Sequence, residues 1–236
     1  MPVVEVKNLL KTFGSTQAVN KISFTVNKGE IFGLIGPNGA GKTTALRIIS
    51  TLLQITSGDV TILGYDAKKK PDQIRKVISY LPEDAGAYKN LTGRTYLRFI
   101  ACFFEKKPED IISRGITIAD LGDRIDDKVD TYSKGMKRRL LVARALMIQP
   151  KLAILDEPTS GLDVINAQEI RKIIKNTAKS GAAVLLSSHN MLEVEFLCDR
   201  IALIAQGRIV EEGAPNKLLD RYNANNIEEV FVKAVS

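Results

Sequence analysis

Ile31-Phe32-Gly33-Leu34-Ile35-Gly36-Pro37-Asn38-Gly39-Ala40-Gly41-Lys42-Thr43-Thr44 is the stretch from which the rest of the chain is read. Its first five residues are an apolar run of strand length. After it, Ala45, Leu46, Ile48, Ile49, Leu52 and Leu53 recur at helical spacing. Between strand and helix, Gly36 to Thr43 fits the pattern G-x-x-x-x-G-K-[ST]. Phosphate oxygens need several donors converging from one side, and backbone N–H groups supply them only where the chain wraps closely. Gly36, Gly39 and Gly41 permit that approach and its positive dihedrals, and Pro37, Asn38 and Ala40 complete the loop. Lys42 is expected to set its charge between a β- and a γ-phosphate, and Thr43 to place its hydroxyl on Mg²⁺. Thr44 falls in the helix's first turn, where amide donors and the macrodipole favour anions. The competing reading is an ordinary glycine-rich turn, but the pattern arises by chance in about one chain in a hundred of this length.

Outward from this loop, short β-type alternation covers Val3–Val6, Ala18-Val19 and Ile22–Val26, with turns at Gly14 and Asn27-Lys28-Gly29. Val60–Gly64 and Ile78–Leu81 read as further strands, the latter after the basic turn Lys68-Lys69-Lys70-Pro71. Between Leu91 and Arg124 the pattern is helical, with Leu97, Ile100 and Phe104 on one face and Pro108 interrupting it. Strand–helix alternation resumes at Leu152: strands over 152–155, 182–187 and 201–204, helices over 165–180 and 191–197. The fold class predicted is α/β. It is a P-loop NTPase core with a mainly parallel sheet, an N-terminal antiparallel β subdomain and an inserted helical subdomain. One domain is expected over 1–236, with 83–124 as the helical subdomain and 1–82 plus 125–236 as the core with its β subdomain.

Leu152-Ala153-Ile154-Leu155-Asp156-Glu157 is a buried strand ending in two acids. Adjacent carboxylates repel, so a cation or a proton is needed there. Asp156 is assigned to Mg²⁺, and Glu157 to accepting a proton from, or orienting, an attacking water. The competing reading is a solvated strand end. His189 is the only histidine and follows the strand Val184–Ser188. In a parallel sheet the carboxyl ends of strands are where ligands sit, which places His189 to contact a γ-phosphate and the water. A purely structural histidine is the alternative.

The 236 residues are 44% hydrophobic, enough for a sizeable core without staples. Two cysteines, Cys102 and Cys198, make no disulfide framework and suit a reducing compartment. The first twenty residues hold no apolar run of secretory type, and no 18-residue apolar stretch occurs. Collagen, coiled coil and disordered chain are excluded by composition. The formal charge of +7 suits a polyanion or an anionic membrane face, and equally a surface with excess lysine.

Taken together, these motifs resemble the nucleotide-binding subunit of an ATP-binding cassette (ABC) transporter over nearly the full length. Tyr132-Ser133-Lys134-Gly135-Met136 looks like the signature Leu-Ser-Gly-Gly-Gln. Asp156-Glu157-Pro158-Thr159-Ser160-Gly161-Leu162-Asp163 resembles the Walker B and D-loop run, and Ser188-His189 the switch histidine. The resemblance implies ATP and Mg²⁺ as cofactors, with Lys42, Glu157 and His189 catalytic and Thr43, Asp156 and Glu83 on the metal. Two subunits pair head to tail, identical or not, each ATP lying on one P-loop and under the other subunit's Ser133 and Gly135. Asp163 belongs to the same nucleotide interface, and Phe13 matches the adenine-stacking position, with a core phenylalanine as its alternative. Glu83 stands where the family usually has glutamine; a carboxylate there can still reach Mg²⁺ but adds negative charge near the phosphates, and a loop acid with no ligand role is its alternative. Lys134 and Met136 replace Gly and Gln, and Lys134 either points toward the partner's ATP or faces solvent. Signatures of this kind, and the ending Ile227–Val232, look like those of drug-, polyketide- and sodium-extruding systems. The implied function is therefore an ATPase powering export through a separate transmembrane permease, peripheral on the cytoplasmic face of the membrane, with no direct nucleic acid. Tyr88, Leu91, Leu97, Ile100 and Phe104 are the candidate permease contacts, with burial within the insertion's own small core as the alternative for the helical ones. The alternatives are a soluble ABC ATPase working on ribosomes, DNA or iron–sulfur assembly, and a module that binds ATP without cleaving it.

Overall fold

A computed structural model describes residues 1–104 and 107–236. Two sheets organise the chain. The first holds β1 (Val4–Phe13), β2 (Thr16–Val26), β4 (Ser57–Ile62) and β5 (Tyr65–Asp66) in the order β2-β1-β4-β5, antiparallel throughout. The second runs β10-β9-β3-β8-β7-β6, built from β3 (Ile31–Ile35), β6 (Ile78–Leu81), β7 (Leu152–Asp156), β8 (Ala183–Ser188), β9 (Arg200–Ala205) and β10 (Arg208–Gly213). All its pairings are parallel except β10 on β9. The expected α/β class with an antiparallel N-terminal sheet is observed.

Why β3, β7 and β8 read as continuous apolar runs is now visible: every residue in them is buried, because both faces of the sheet are covered. The period of two divides their side chains between two cores. Phe32, Leu34, Leu152, Ile154, Ala183 and Leu185 face the first sheet and α1 (Lys42–Ile49). Gly33's neighbours Ile31 and Ile35, with Ala153, Leu155, Val184 and Leu186, face the opposite way onto helices. There lie α3 (Gly93–Ala101), α4 (Pro108–Ala119), α5 (Lys134–Leu146), α6 (Val164–Lys179), α7 (Met191–Leu197), α8 (Pro215–Tyr222) and α9 (Ile227–Val235). The short α2 (Pro71–Arg75) packs through Ile74 into the first core. In α1, Leu46, Ile48 and Ile49 are fully or nearly fully buried, each worth about 1.5–3 kcal/mol, so the loop ahead of α1 hangs from a rigid anchor.

Pro108 does not interrupt a helix but starts one, at the first turn of α4, where its missing N–H costs nothing. Phe104 lies beyond the end of α3 and so does not share a helical face with Leu97 and Ile100. Leu97 is fully buried against α4 and α5, so of its two readings the structure selects burial in the subdomain's own core over a partner contact. Leu91 and Ile100 are partly buried on the same core, while Tyr88 and Phe104 remain exposed.

Candidate functional site

The carboxyl ends of β3, β8 and β7, neighbours in the sheet, carry the residues singled out in the sequence. β3 ends in the loop 36–41, drawn tight against its surroundings. A Cβ on Gly36 would lie 2.1 Å from the carbonyl oxygen of Ile204, and one on Gly41 would lie 2.2 Å from that of Ala18 in β2. Gly41, at φ +103°, is the N-cap of α1 and brings no side-chain acceptor. The first-turn N–H groups of Lys42, Thr43 and Thr44 therefore meet no capping side chain, and no acid sits among them. A tight loop opening on an uncapped helix start has the donor geometry of a phosphate cradle.

Lys42 is buried and folds back over that cradle. Its ammonium donates to the carbonyls of Gly36 at 2.7 Å and Pro37 at 3.2 Å, and lies 3.4 Å from Glu157 Oε1. Glu157 Oε1 is itself buried and meets the Lys42 ammonium as an ion pair rather than through a hydrogen bond. Its other oxygen, Oε2, accepts from His189 Nδ1 at 2.8 Å, which puts the imidazole proton on Nδ1. The Glu157 backbone is left-handed at φ +49°.

Asp156 is completely buried and made polar-satisfied by three hydroxyls. Ser187 donates to Oδ1 at 2.6 Å, Thr43 to Oδ1 at 3.2 Å and Tyr80 to Oδ2 at 3.3 Å. Register explains the first: Asp156 stands directly opposite Ser187 across β7 and β8. Burial, and then the Asp156 charge, push the Tyr80 hydroxyl up to about 12, so it remains a donor. Thr43 and Asp156 offer two hard oxygens close together. That donor set fits Mg²⁺, which takes one or two protein oxygens and completes its shell with phosphate and water.

Lys42, Thr43, Asp156, Glu157 and His189 are thus brought together. Ser133, Gly135 and Asp163 form a second constellation. Ser133 caps α5 by accepting from the Met136 N–H at 3.2 Å. Asp163 caps α6 through Asn166, whose N–H and side-chain amide hold the Asp163 carboxyl below its ordinary range. Gly135 packs so closely on Asn166 that a Cβ there would lie 2.2 Å from the amide carbon. The Lys134 side chain is exposed and lies over Gly161 within its own chain. Glu83 is exposed in the loop after β6 and shares a cavity of about 270 Å³ with Lys134, Arg138, Glu157 and Ser160. Phe13 is 49% exposed at the end of β1, with the Lys11 ammonium 4.8 Å from its ring centre, so it is not a core residue.

Three participants escaped the sequence reading: Tyr80, Ser187 and Arg138. Ser187 had a weak signal, as a polar residue closing an apolar strand two positions before His189. Arg138 had another, as a charge on a helix whose later positions Leu140 to Ala143 are all buried.

Residues 19–160 match the ABC transporter family. The linearmycin resistance ATP-binding protein LnrL of Bacillus subtilis (strain 168) is 36% identical over 237 residues, covering 99% of this chain and 76% of that protein. A solved ATP-binding subunit of an ABC transporter superposes with a TM-score of 0.88 at 28% identity, covering 99% of this chain and 100% of that one. A dimeric ATP-binding cassette in a post-hydrolysis state, bound to ADP and Pi, shares the fold with a TM-score of 0.79 at 24% identity, over 89% of this chain and 98% of that one. With the phosphate cradle, the paired acids and the histidine at the carboxyl ends of three neighbouring strands, the chain belongs to the ABC transporter family, as an ATP-binding subunit and an ATPase.

Proposed function

We propose that this subunit powers export of a drug-like molecule or ion through a separate membrane subunit, working as a pair with a second ATP-binding subunit. The observation that carries the reading is the Lys42–Glu157–His189 array over the cradle, at the carboxyl ends of three adjacent strands. Gly36 to Thr44 bind the phosphates, with Lys42 exchanging its carbonyl contacts for β- and γ-phosphate oxygens. Glu157 takes the proton of the attacking water, a role supported by an Oε1 that accepts no hydrogen bond and is freed as Lys42 turns to the phosphates, and His189 holds that carboxylate in place while its second nitrogen faces the γ-phosphate. Thr43 and Asp156, with Glu83 from the neighbouring loop, would hold Mg²⁺, which when bound neutralises phosphate charge. Phe13 stacks on the adenine.

Pairing places Ser133 and Gly135 of one subunit over the nucleotide of the other, with Asp163 beside them, where the α5 N-terminus favours an anion. Exposed Val164, Ile165, Leu192 and Phe196 around the site supply apolar surface for that contact. A structural neighbour of the same fold is itself dimeric, which supports pairing. No helix among the described residues is long and apolar enough to cross a membrane; the membrane-spanning part is assigned here to a separate permease. Its docking surface is the helical subdomain of residues 83–124, on the cytoplasmic face of the membrane. There Tyr88, Phe99 and Phe103 form an exposed edge-to-face row with ring centres 5.6 and 5.2 Å apart. The drug-like cargo is supported by the name of the linearmycin resistance relative.

Glu157→Gln tests the assignment. It is expected to bind ATP, to dimerise on saturation as read by sedimentation, and to hydrolyse roughly 10²–10⁴-fold more slowly. Wild-type turnover, or a chain that stays monomeric at saturating ATP, would overturn it.

A further inference from the structure

Arg138 lies inside α5 and is only 8% exposed. Its guanidinium donates to four backbone carbonyls: Nε to Pro158 at 2.7 Å, one terminal nitrogen to Glu83 at 3.2 Å, the other to Asp156 at 3.0 Å and Glu157 at 2.6 Å. These acceptors belong to the loop after β6, the end of β7 and the turn that follows. None is a side-chain carboxylate, so the contact fixes where the backbone runs rather than pairing charges. Burying a guanidinium is costly, and only full use of its planar fork offsets that cost.

Glu157 is the residue most affected. Its N–H is held by Ser187 Oγ at 3.0 Å, and its carbonyl is shared by Arg138 and the Ser160 N–H. A residue with a Cβ at positive φ persists only where its surroundings over-determine it, and Arg138 is one of those fastenings. The same helix opens on Ser133, five residues earlier. A hydrogen bond of 2.6 Å tolerates displacement of only a few tenths of an ångström before it weakens, so a shift of α5 is passed to Glu157.

We propose that Arg138 is a positioning residue that ties the helix opening on Ser133 to the backbone of Glu157, so that a γ-phosphate engaged by Ser133 in one nucleotide site sets the catalytic carboxylate of the other. This rests on the head-to-tail pairing proposed above. It makes Arg138 the physical link through which the two sites cooperate.

The test uses the full chain with Arg138→Lys and Arg138→Met. Turnover is measured against ATP concentration, and nucleotide affinity by titration with a fluorescent ATP analogue. Both variants are expected to lose roughly 10–100-fold in kcat, because a displaced carboxylate loses its near-attack geometry. Affinity should stay within about twofold of wild type, the signature of a loss confined to the chemical step. The Hill coefficient should fall toward about one. Lysine should not rescue, since a point charge cannot serve four carbonyls at once. Where Arg138→Met fails to fold, Arg138→Lys carries the same readouts. Unchanged kcat and Hill coefficient in a folded variant would overturn the coupling, as would affinity falling in step with kcat. Failure of Glu157→Gln to dimerise at saturating ATP, together with absence of cooperativity in the wild-type chain, would instead overturn the pairing, and the coupling with it.

Discussion

Removing one hydroxyl, in Ser187→Ala, probes how the two acids are held. Ser187 Oγ donates to Asp156 Oδ1 at 2.6 Å and accepts the Glu157 N–H at 3.0 Å, in a residue with no solvent contact. The variant loses a hydrogen bond to a charged group, worth about 1.5–3 kcal/mol, and leaves a buried N–H unpaired at about 1–3 kcal/mol. Asp156 keeps Thr43 and Tyr80, so the lower half of that sum applies, about 3 kcal/mol. Against a total stability of about 5–15 kcal/mol this is a large fraction. Urea unfolding should show a lower midpoint at unchanged slope. At about 2–4 °C per kcal/mol for a chain of this size, the melting temperature should fall by about 6–12 °C. A double-mutant cycle with Asp156→Asn should return a coupling above about 1 kcal/mol, because the two groups touch. A loss under about 0.5 kcal/mol, or strict additivity in that cycle, would refute the reasoning.

Gly41→Ala places a Cβ 2.2 Å from the Ala18 carbonyl at φ +103°, and neither backbone can yield without moving β2. Strain and overpacking together should cost about 2–5 kcal/mol in urea unfolding, with weakened nucleotide binding in a titration of the same protein. Wild-type stability and affinity would contradict the close-wrapped loop. For Tyr80, burial and the Asp156 charge favour the protonated phenol in the folded state, with a value of about 12 against an ordinary 10.0. Its contribution to stability is therefore complete below pH 10 and is lost as the pH rises toward 12. Tyrosinate absorbance of wild type minus Tyr80→Phe should show that step near 12, and a step at the ordinary value would sink the assignment.

How much was legible in advance divides along the length scale of the interaction. The cradle is written in nine consecutive residues, because glycine spacing and a following lysine act on their own backbone neighbours. The strand that ends in Asp156-Glu157 is equally local, since an apolar run on both faces reads directly as a covered strand. The Ser133 cap of α5 is an interaction of the same local kind, a side chain bonding three residues on. Leu97 was not: period alone marks an apolar face but does not say whether that face meets its own subdomain or a partner.

What the chain order alone determined, then, is the phosphate loop, the acid pair, the histidine and the α/β class. Only the folded sheet decided that β3, β8 and β7 lie side by side, so that Lys42, Ser187, His189 and the acids converge. Arg138 shows the physical reason most clearly. Its partners are backbone carbonyls, which every residue carries, so no choice of amino acid at positions 83, 156, 157 or 158 announces the contact, and only their placement in space does.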